Sequence, residues 1–321
     1  MAYKVLIPQD IAEEGKEYLL SRGYEIKMGS GITEADMARD VEDCDAILLR
    51  TADVTEKVLR AGRKLRIVAR HGAGYNNVDI KTAAELGIWV TNAPDATTGS
   101  VAEFTIGAVI AAGKRFVELR DELRHGDFYY KNKHMGVDLA GKKLGIIGIG
   151  RIGLEVARKA RYGLDMEVLA YAPRKRQEQM PEYVRLVPWE ELLEMSDFIT
   201  VHVPLTEETK GLIGAEAFGR MKPSAFLINC SRGGVVAEDA LVEALQDGKI
   251  AGLFTDVMEQ EPPDANHPFF RMKNVTVTPH MASNTEECML RMALQAASQI
   301  DMVLSGKEPE WAVNCSVGRF E

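Results

Sequence analysis

The chain has 321 residues, 46% hydrophobic and 27% charged, a composition that belongs to a folded globular protein and excludes a disordered tail or a stapled miniprotein. Its formal net charge of −9, from 39 Lys and Arg against 48 Asp and Glu, removes any general attraction to nucleic acid or anionic lipid. A local basic cluster can still hold one small anion, and the length suits two ordinary domains.

In chain order, short β-branched runs predict strands over 4–8, 25–28, 46–50, 66–70 and 88–91, with helices between them over 11–21, 33–41 and 55–61. This βαβ rhythm implies a parallel sheet. One long apolar helix is expected over 100–123. Its most apolar part, 104–113, is half the ~20 residues of a membrane span and ends at Lys114 and Arg115, so it reads as a buried helix. The rhythm then restarts, predicting strands over 144–148, 168–171, 198–203, 225–230, 252–257 and 275–278. A helix over 286–304 closes the pattern at Ser305 and Gly306.

A nucleotide-binding sheet that begins near residue 140 needs on the order of 150 residues, which leaves too little chain after it for a further domain. The remnant therefore returns to the first domain. The expected organisation is discontinuous: 1–98 with 287–321 forms one α/β domain, and 99–286 forms a dinucleotide-binding domain inserted into it.

The restart carries Gly148-Ile-Gly150-Arg-Ile-Gly153 directly after an apolar strand and at the opening of a helical pattern. There the first glycine makes a tight turn, the second admits a diphosphate and the third lets helix pack on strand. The GKS/T of an ATP- or GTP-binding loop is missing, so a hydride-carrying dinucleotide fits better. The carboxylate that normally holds the ribose of NAD is also missing: nineteen residues after Gly153 stands Ala172, followed by Pro173 and then Arg174-Lys175-Arg176. Cations in that place suit a 2′-phosphate, which favours NADP(H) slightly over NAD(H) and leaves both open.

Ligands of doubly wound sheets bind at the carboxyl ends of the strands, which singles out Arg232, Glu261 and His280, each just beyond a predicted strand. They offer a carboxylate-binding cation, an orienting carboxylate and a proton donor, the minimum set for reducing a 2-keto acid. An ion pair between Glu261 and His280 favours the imidazolium that reduction requires.

These residues lie within longer motifs: Gly72-Ala-Gly74-Tyr-Asn-Asn-Val-Asp79, Leu144 to Gly153, His202-Val-Pro-Leu-Thr206, Ile228-Asn-Cys-Ser-Arg-Gly-Gly234, Asp256-Val-Met-Glu-Gln-Glu-Pro262 and Thr278-Pro-His-Met-Ala282. With them the chain resembles, over essentially its whole length, the D-isomer-specific 2-hydroxyacid dehydrogenases, the family of D-3-phosphoglycerate dehydrogenase and glyoxylate/hydroxypyruvate reductase. The resemblance implies an α/β fold of two doubly wound domains, a Rossmann domain inserted into a flavodoxin-like substrate domain. It implies Arg232, Glu261 and His280 as catalytic, and Arg50, Gly72, Ala73 and Gly74 as substrate-binding. Cofactor contacts implied are Gly148, Gly150, Arg151, Ile152, Gly153, Ala172, Arg174, His202, Pro204, Thr209, Cys230, Ser231, Asp256 and Ala282. NAD-using members typically carry Asp where this chain has Ala172.

The expected activity is hydride transfer between NAD(P)H and a small 2-keto or D-2-hydroxy acid of the hydroxypyruvate, glyoxylate or phosphoglycerate type. A dinucleotide-sensing, corepressor-like module or a dehydrogenase of formate or phosphite are the competing readings. The small-residue face Ala102, Gly107, Ala108 and Ala111 suggests a homodimer, to which the resemblance adds weight. Neither nucleic acid nor membrane is an expected partner, and the first residues lack a secretory signal, so the expected compartment is the cytosol. Cys44, Cys230, Cys288 and Cys315 lack metal-like spacing, and His71, His125, His134 and His267 are scattered, so no metal or disulfide is expected and these histidines read as structural or surface.

Overall fold

The computed structural model describes residues 2–314. The chain divides into two compact units, Met1–Thr97 with Asn284–Glu321, and Thr98–Ser283.

Unit 1 contains strands β1 (Lys4–Ile7), β2 (Glu25–Met28), β3 (Ala46–Leu49), β4 (Ile67–Arg70) and β5 (Trp89–Thr91), with helices α1 (Glu13–Ser21), α2 (Glu34–Asp40), α3 (Glu56–Ala61) and α4 (Ile80–Glu85) between them. All neighbours pair in parallel in the order β2-β1-β3-β4-β5. This is the flavodoxin-like order. Central β3 is apolar at every position and wholly buried because helices cover both faces, whereas edge strand β2 is partly exposed throughout. Side-chain caps start two of the helices: Thr33 Oγ1 accepts from Asp36 N, and Asp79 accepts from Thr82 N.

Helix α5 (Pro94–Gly113) runs across the division between the units, and α6 (Phe116–Arg124) follows it. The single helix expected over 100–123 is thus two helices, the first starting six residues earlier. Arg115 breaks the run by adopting the left-handed conformation at φ 54°, and a Cβ on Gly113 would stand 2.8 Å from Leu139, so the chain turns where it packs closest. At twenty residues α5 matches a membrane crossing in length and apolarity, yet Ala102, Thr105, Ala108 and Val109 are buried in the protein core. Ala102 and Ala108, expected on a dimer face, therefore face their own unit.

Unit 2 continues with β6 (Lys143–Ile147), α7 (Arg151–Leu164), β7 (Glu167–Tyr171), β8 (Val184–Leu186), α8 (Trp189–Met195), β9 (Phe198–Val201), α9 (Ala215–Arg220), β10 (Phe226–Asn229), α10 (Glu238–Gln246), β11 (Gly252–Thr255) and β12 (Val275–Val277). Its seven parallel strands are ordered β12-β11-β10-β9-β6-β7-β8. The first strand sits mid-sheet and the order reverses beside it, as in a Rossmann fold, where ligands bind at the carboxyl ends of the strands. Strand β8 was not expected: three residues with Arg185 at the centre carry no apolar run, and only pairing with β7 makes them a strand.

The chain returns to unit 1 with α11 (Glu286–Leu304), capped by Thr285 accepting from Cys288 N. A Cβ on Gly15 would lie 2.8 Å from Ala293, so glycine allows α1 and α11 to pack closely. Cys44, Cys230 and Cys288 are free thiols, and Cys315 lies outside the described residues.

Candidate active site

Three consecutive strand ends of unit 2 supply its polar groups. After β10, Asn229 is buried, and its carboxamide oxygen accepts from Ser231 N (3.0 Å) and Ser231 Oγ (2.8 Å) while its nitrogen donates to Arg232 O (3.0 Å). The Ser231-Arg232 turn is thereby held on both sides. The Arg232 guanidinium is partly buried, which lowers its pKa, while nearby Glu261 raises it. An arginine so placed remains a cation.

After β11, Asp256 is 1% exposed. Its carboxylate accepts from Thr278 Oγ1 (2.6 Å), Met281 N (2.9 Å) and Ala282 N (2.7 Å), and its own carbonyl accepts from His280 N (2.9 Å). Asp256 and Ala282 were expected among the cofactor contacts. In the structure Asp256 braces the turn in which His280 sits at φ 51°. That left-handed conformation is costly for a residue with a Cβ and persists because these bonds over-determine it.

Glu261 stands on the exposed segment beyond Asp256, and its Oε2 lies 2.7 Å from His280 Nδ1 while its Oε1 accepts from Met258 N (3.0 Å). Burial opposes its ionisation, but bonding to His280 and to Met258 N, with the His280 and Arg232 charges, holds its pKa below the usual glutamate value. Glu261 therefore engages the Nδ1 side of the His280 ring. The structure thus brings together the three residues that sequence reasoning singled out.

The glycine turn lies between β6 and α7. Gly148 has φ 95°, and a Cβ there would meet His202 O at 2.7 Å; a Cβ on Gly153 would collide with Gly148 O. Gly150 differs, since a Cβ there would meet nothing within 4 Å. It is the N-cap of α7, no side chain caps that helix, and Arg151 and Ile152 form its first turn. His202 is kept neutral by burial, which lowers its pKa to about 3, and its Nε2 lies 2.8 Å from Thr200 Oγ1. Burial pushes the Cys230 thiol up to about 12 despite a bond with Thr105. Thr209 Oγ1 accepts from Thr206 N (2.8 Å) and donates to Pro204 O (2.5 Å), shaping the loop after β9. Ala172, just beyond β7, is half-buried and packs against the core. Beyond it Arg174 is exposed and pairs with Glu208 at 2.9 Å, a partner the sequence did not disclose.

In unit 1, Gly72 has φ 147°, and a side chain there would run into the Arg70 guanidinium. Gly72 O accepts from Ala93 N (2.8 Å) and Ala73 O from Asn92 Nδ2 (2.7 Å), which fixes the loop through Gly74. Arg50 donates to Asp10 O at 2.7 Å. His71 is held neutral, its pKa lowered to about 4 by burial and by the Arg50 and Arg70 cations.

Residues 106–282 match the model of the D-isomer specific 2-hydroxyacid dehydrogenase, NAD binding domain. The chain is 43% identical over 282 residues to a glyoxylate reductase of Korarchaeum cryptofilum, covering 86% of this chain and 85% of that one. The chain belongs to the D-isomer-specific 2-hydroxyacid dehydrogenases. Another member, a D-3-phosphoglycerate dehydrogenase of Archaeoglobus fulgidus, is 40% identical over 315 residues, and this chain spans 97% of itself but only 59% of that relative. Among solved structures, a Thermus thermophilus protein is 32% identical with TM-score 0.89 over 97% of this chain and 99% of that one. An NADPH-dependent glyoxylate/hydroxypyruvate reductase of Sinorhizobium meliloti, in complex with NADP and malonate, is 28% identical with TM-score 0.85 over 98% and 97%.

The residues of this family member fit a nicotinamide dinucleotide. Open space at Gly150 beside the uncapped first turn of α7 is what a diphosphate needs, since backbone N–H groups and the helix dipole both favour an anion there. Among the described residues no group of His, Cys, Asp and Glu is disposed to hold a metal ion.

Proposed function

We propose that the chain is an oxidoreductase that interconverts a small 2-keto acid and its D-2-hydroxy acid with NAD(P)(H). The observation that carries this reading is the 2.7 Å contact of Glu261, beyond β11, with His280 Nδ1, beyond β12, where β11 neighbours the β10 end that leads to Arg232, in a sheet that also bears the glycine turn. The bound dinucleotide supplies or accepts the hydride. Arg232 pairs with the substrate carboxylate and fixes its orientation. Protonated His280 donates from Nε2 to the carbonyl oxygen as negative charge develops, and Glu261 stabilises the imidazolium. In the oxidative direction neutral His280 takes the proton.

The relatives' names favour glyoxylate, hydroxypyruvate or phosphohydroxypyruvate as substrates. For the coenzyme we propose a slight preference for NADP(H): Ala172 has no carboxylate to repel a 2′-phosphate, and Arg174 is near at hand but shared with Glu208. We also propose a homodimer, supported by the large apolar side chains that unit 2 exposes at Phe116, Leu123, Phe128, Tyr129 and Met135. Sedimentation at micromolar concentration tests it, and a monomer rejects it.

The test of function is turnover of these three keto acids with both coenzymes, in the wild type and in His280→Ala. Loss of the general acid is expected to lower kcat by ~10²–10⁴-fold with dinucleotide binding retained. Equal turnover by the variant overturns the assignment.

A further inference from the structure

The segment from Met258 to His267 carries Glu261, has no strand or helix of its own, and is exposed over most of its length. Such a strap cannot by itself keep a carboxylate within hydrogen-bond reach of an imidazole. Two features tie it down near Glu261. A side chain at Gly233, next to Arg232, would collide with the Met258-Glu259 backbone, so the strap rests on the β10 turn, and Met258 N closes a tight loop onto Glu261 Oε1.

The third tie is a second carboxylate–imidazole pair. Glu238, the first residue of α10, has one oxygen 2.9 Å from His267 Nε2 and the other accepting a longer 3.4 Å bond from Glu259 N, two residues before Glu261. His267 Nδ1 accepts from Phe269 N at 3.3 Å, so Nε2 carries the hydrogen that reaches Glu238. The ring packs edge-on against buried Phe269, at a centroid separation of 4.6 Å. The side chains of His267 and Glu238 are only 14% and 24% exposed, whereas those of His280 and Glu261 are 47% and 37% exposed. The sheltered pair thus spans the strap from its near end to its far end, while the exposed pair faces solvent.

We propose that Glu238 and His267 are positioning residues which hold the strap in register so that Glu261 meets His280. This rests on the acid–base role proposed for His280. Within unit 2 the charged group that meets the His280 side chain is Glu261, on which Arg232 also acts, while Asp256 holds the backbone of residues 280–282; the charged group that meets His267 is Glu238. Breaking the sheltered pair removes none of the groups around His280, so a change in its behaviour reports displacement of Glu261.

The experiment compares His267→Ala, Glu238→Ala and His267→Gln in the full chain, measuring the pH profile of kcat/KM for keto-acid reduction, dinucleotide affinity and thermal midpoint. His267→Ala and Glu238→Ala are expected to lower kcat/KM about tenfold and to draw in the alkaline limb, with dinucleotide affinity unchanged. His267→Gln, whose amide N–H can still reach Glu238, is expected to recover most of the loss. Variants that melt lower yet keep the wild-type profile overturn the proposal, because a merely structural pair moves stability alone. Where His280→Ala abolishes turnover and His267→Ala leaves the profile intact, only this inference fails; an active His280→Ala instead removes the reading beneath it. If the two breaking variants do not fold, the His267 ¹⁵N spectrum of the wild type decides: a hydrogen on Nε2 supports the pair, and one on Nδ1 alone refutes it.

Discussion

The three glycines after β6 make a graded test of dinucleotide binding, because each would place a methyl group in different surroundings. At Gly153 it meets the carbonyl oxygen of Gly148, a backbone obstacle that cannot swing aside. Overpacking costs about 1–3 kcal/mol. A domain the size of unit 2 loses about 2–4 °C of melting midpoint per kcal/mol, so Gly153→Ala is expected to melt about 6–12 °C lower if the cost is at the top of that range. At Gly148 the positive φ of 95° adds ~1–2 kcal/mol to a clash with His202 O at 2.7 Å. Gly150→Ala is different: φ is −81°, and nothing stands within 4 Å of the new methyl. The lost unfolded-state entropy stabilises by ~0.4–1 kcal/mol and the poorer N-cap costs a similar ~0.5–1 kcal/mol, so the fold should be almost indifferent. The methyl nevertheless occupies the approach to the first turn of α7, and dinucleotide affinity is expected to fall at least about tenfold, or 1.4 kcal/mol. Thermal melts with titration of NADH and NADPH by calorimetry separate the two effects. A Gly150→Ala protein that binds both coenzymes like the wild type would show that this turn does not receive the diphosphate.

Ala172→Asp combined with Arg174→Ser is expected to move the ratio of kcat/KM toward NADH severalfold, since it adds a ribose acceptor that repels a 2′-phosphate and removes a cation. The wild-type preference should weaken as salt rises, and a strong, salt-indifferent preference for NADH contradicts the role given to Arg174. Glu261 supplies a pH dependence: its folded pKa is lowered, so its stabilising contribution is present above the unfolded value of about 4.3 and is lost as pH falls through the folded one. Acid melts of Glu261→Gln should accordingly be flatter below that pH than those of the wild type, and parallel curves would deny the ion pair.

Periodicity and spacing alone disclosed the two βαβ series, the glycine turn and the strand-end trio. Strand positions came through because buried parallel strands are apolar on both faces, as at Ala46–Leu49, and the missing ribose carboxylate at Ala172 is a plain fact of spacing. Edge strand β8 stayed hidden, because Val184-Arg185-Leu186 is a strand only by pairing with β7. The break between α5 and α6 stayed hidden too, because what bends the chain there is close packing of Gly113 on Leu139. The same holds for the brace under His280, the Glu208 partner of Arg174 and the Glu238–His267 tie: each joins residues distant in sequence. Local pattern tells which residues can carry the chemistry; which oxygens and nitrogens meet is decided by the tertiary fold, through burial at Asp256, where a buried polar group must find its partner, and through mere proximity at the exposed Arg174–Glu208 pair.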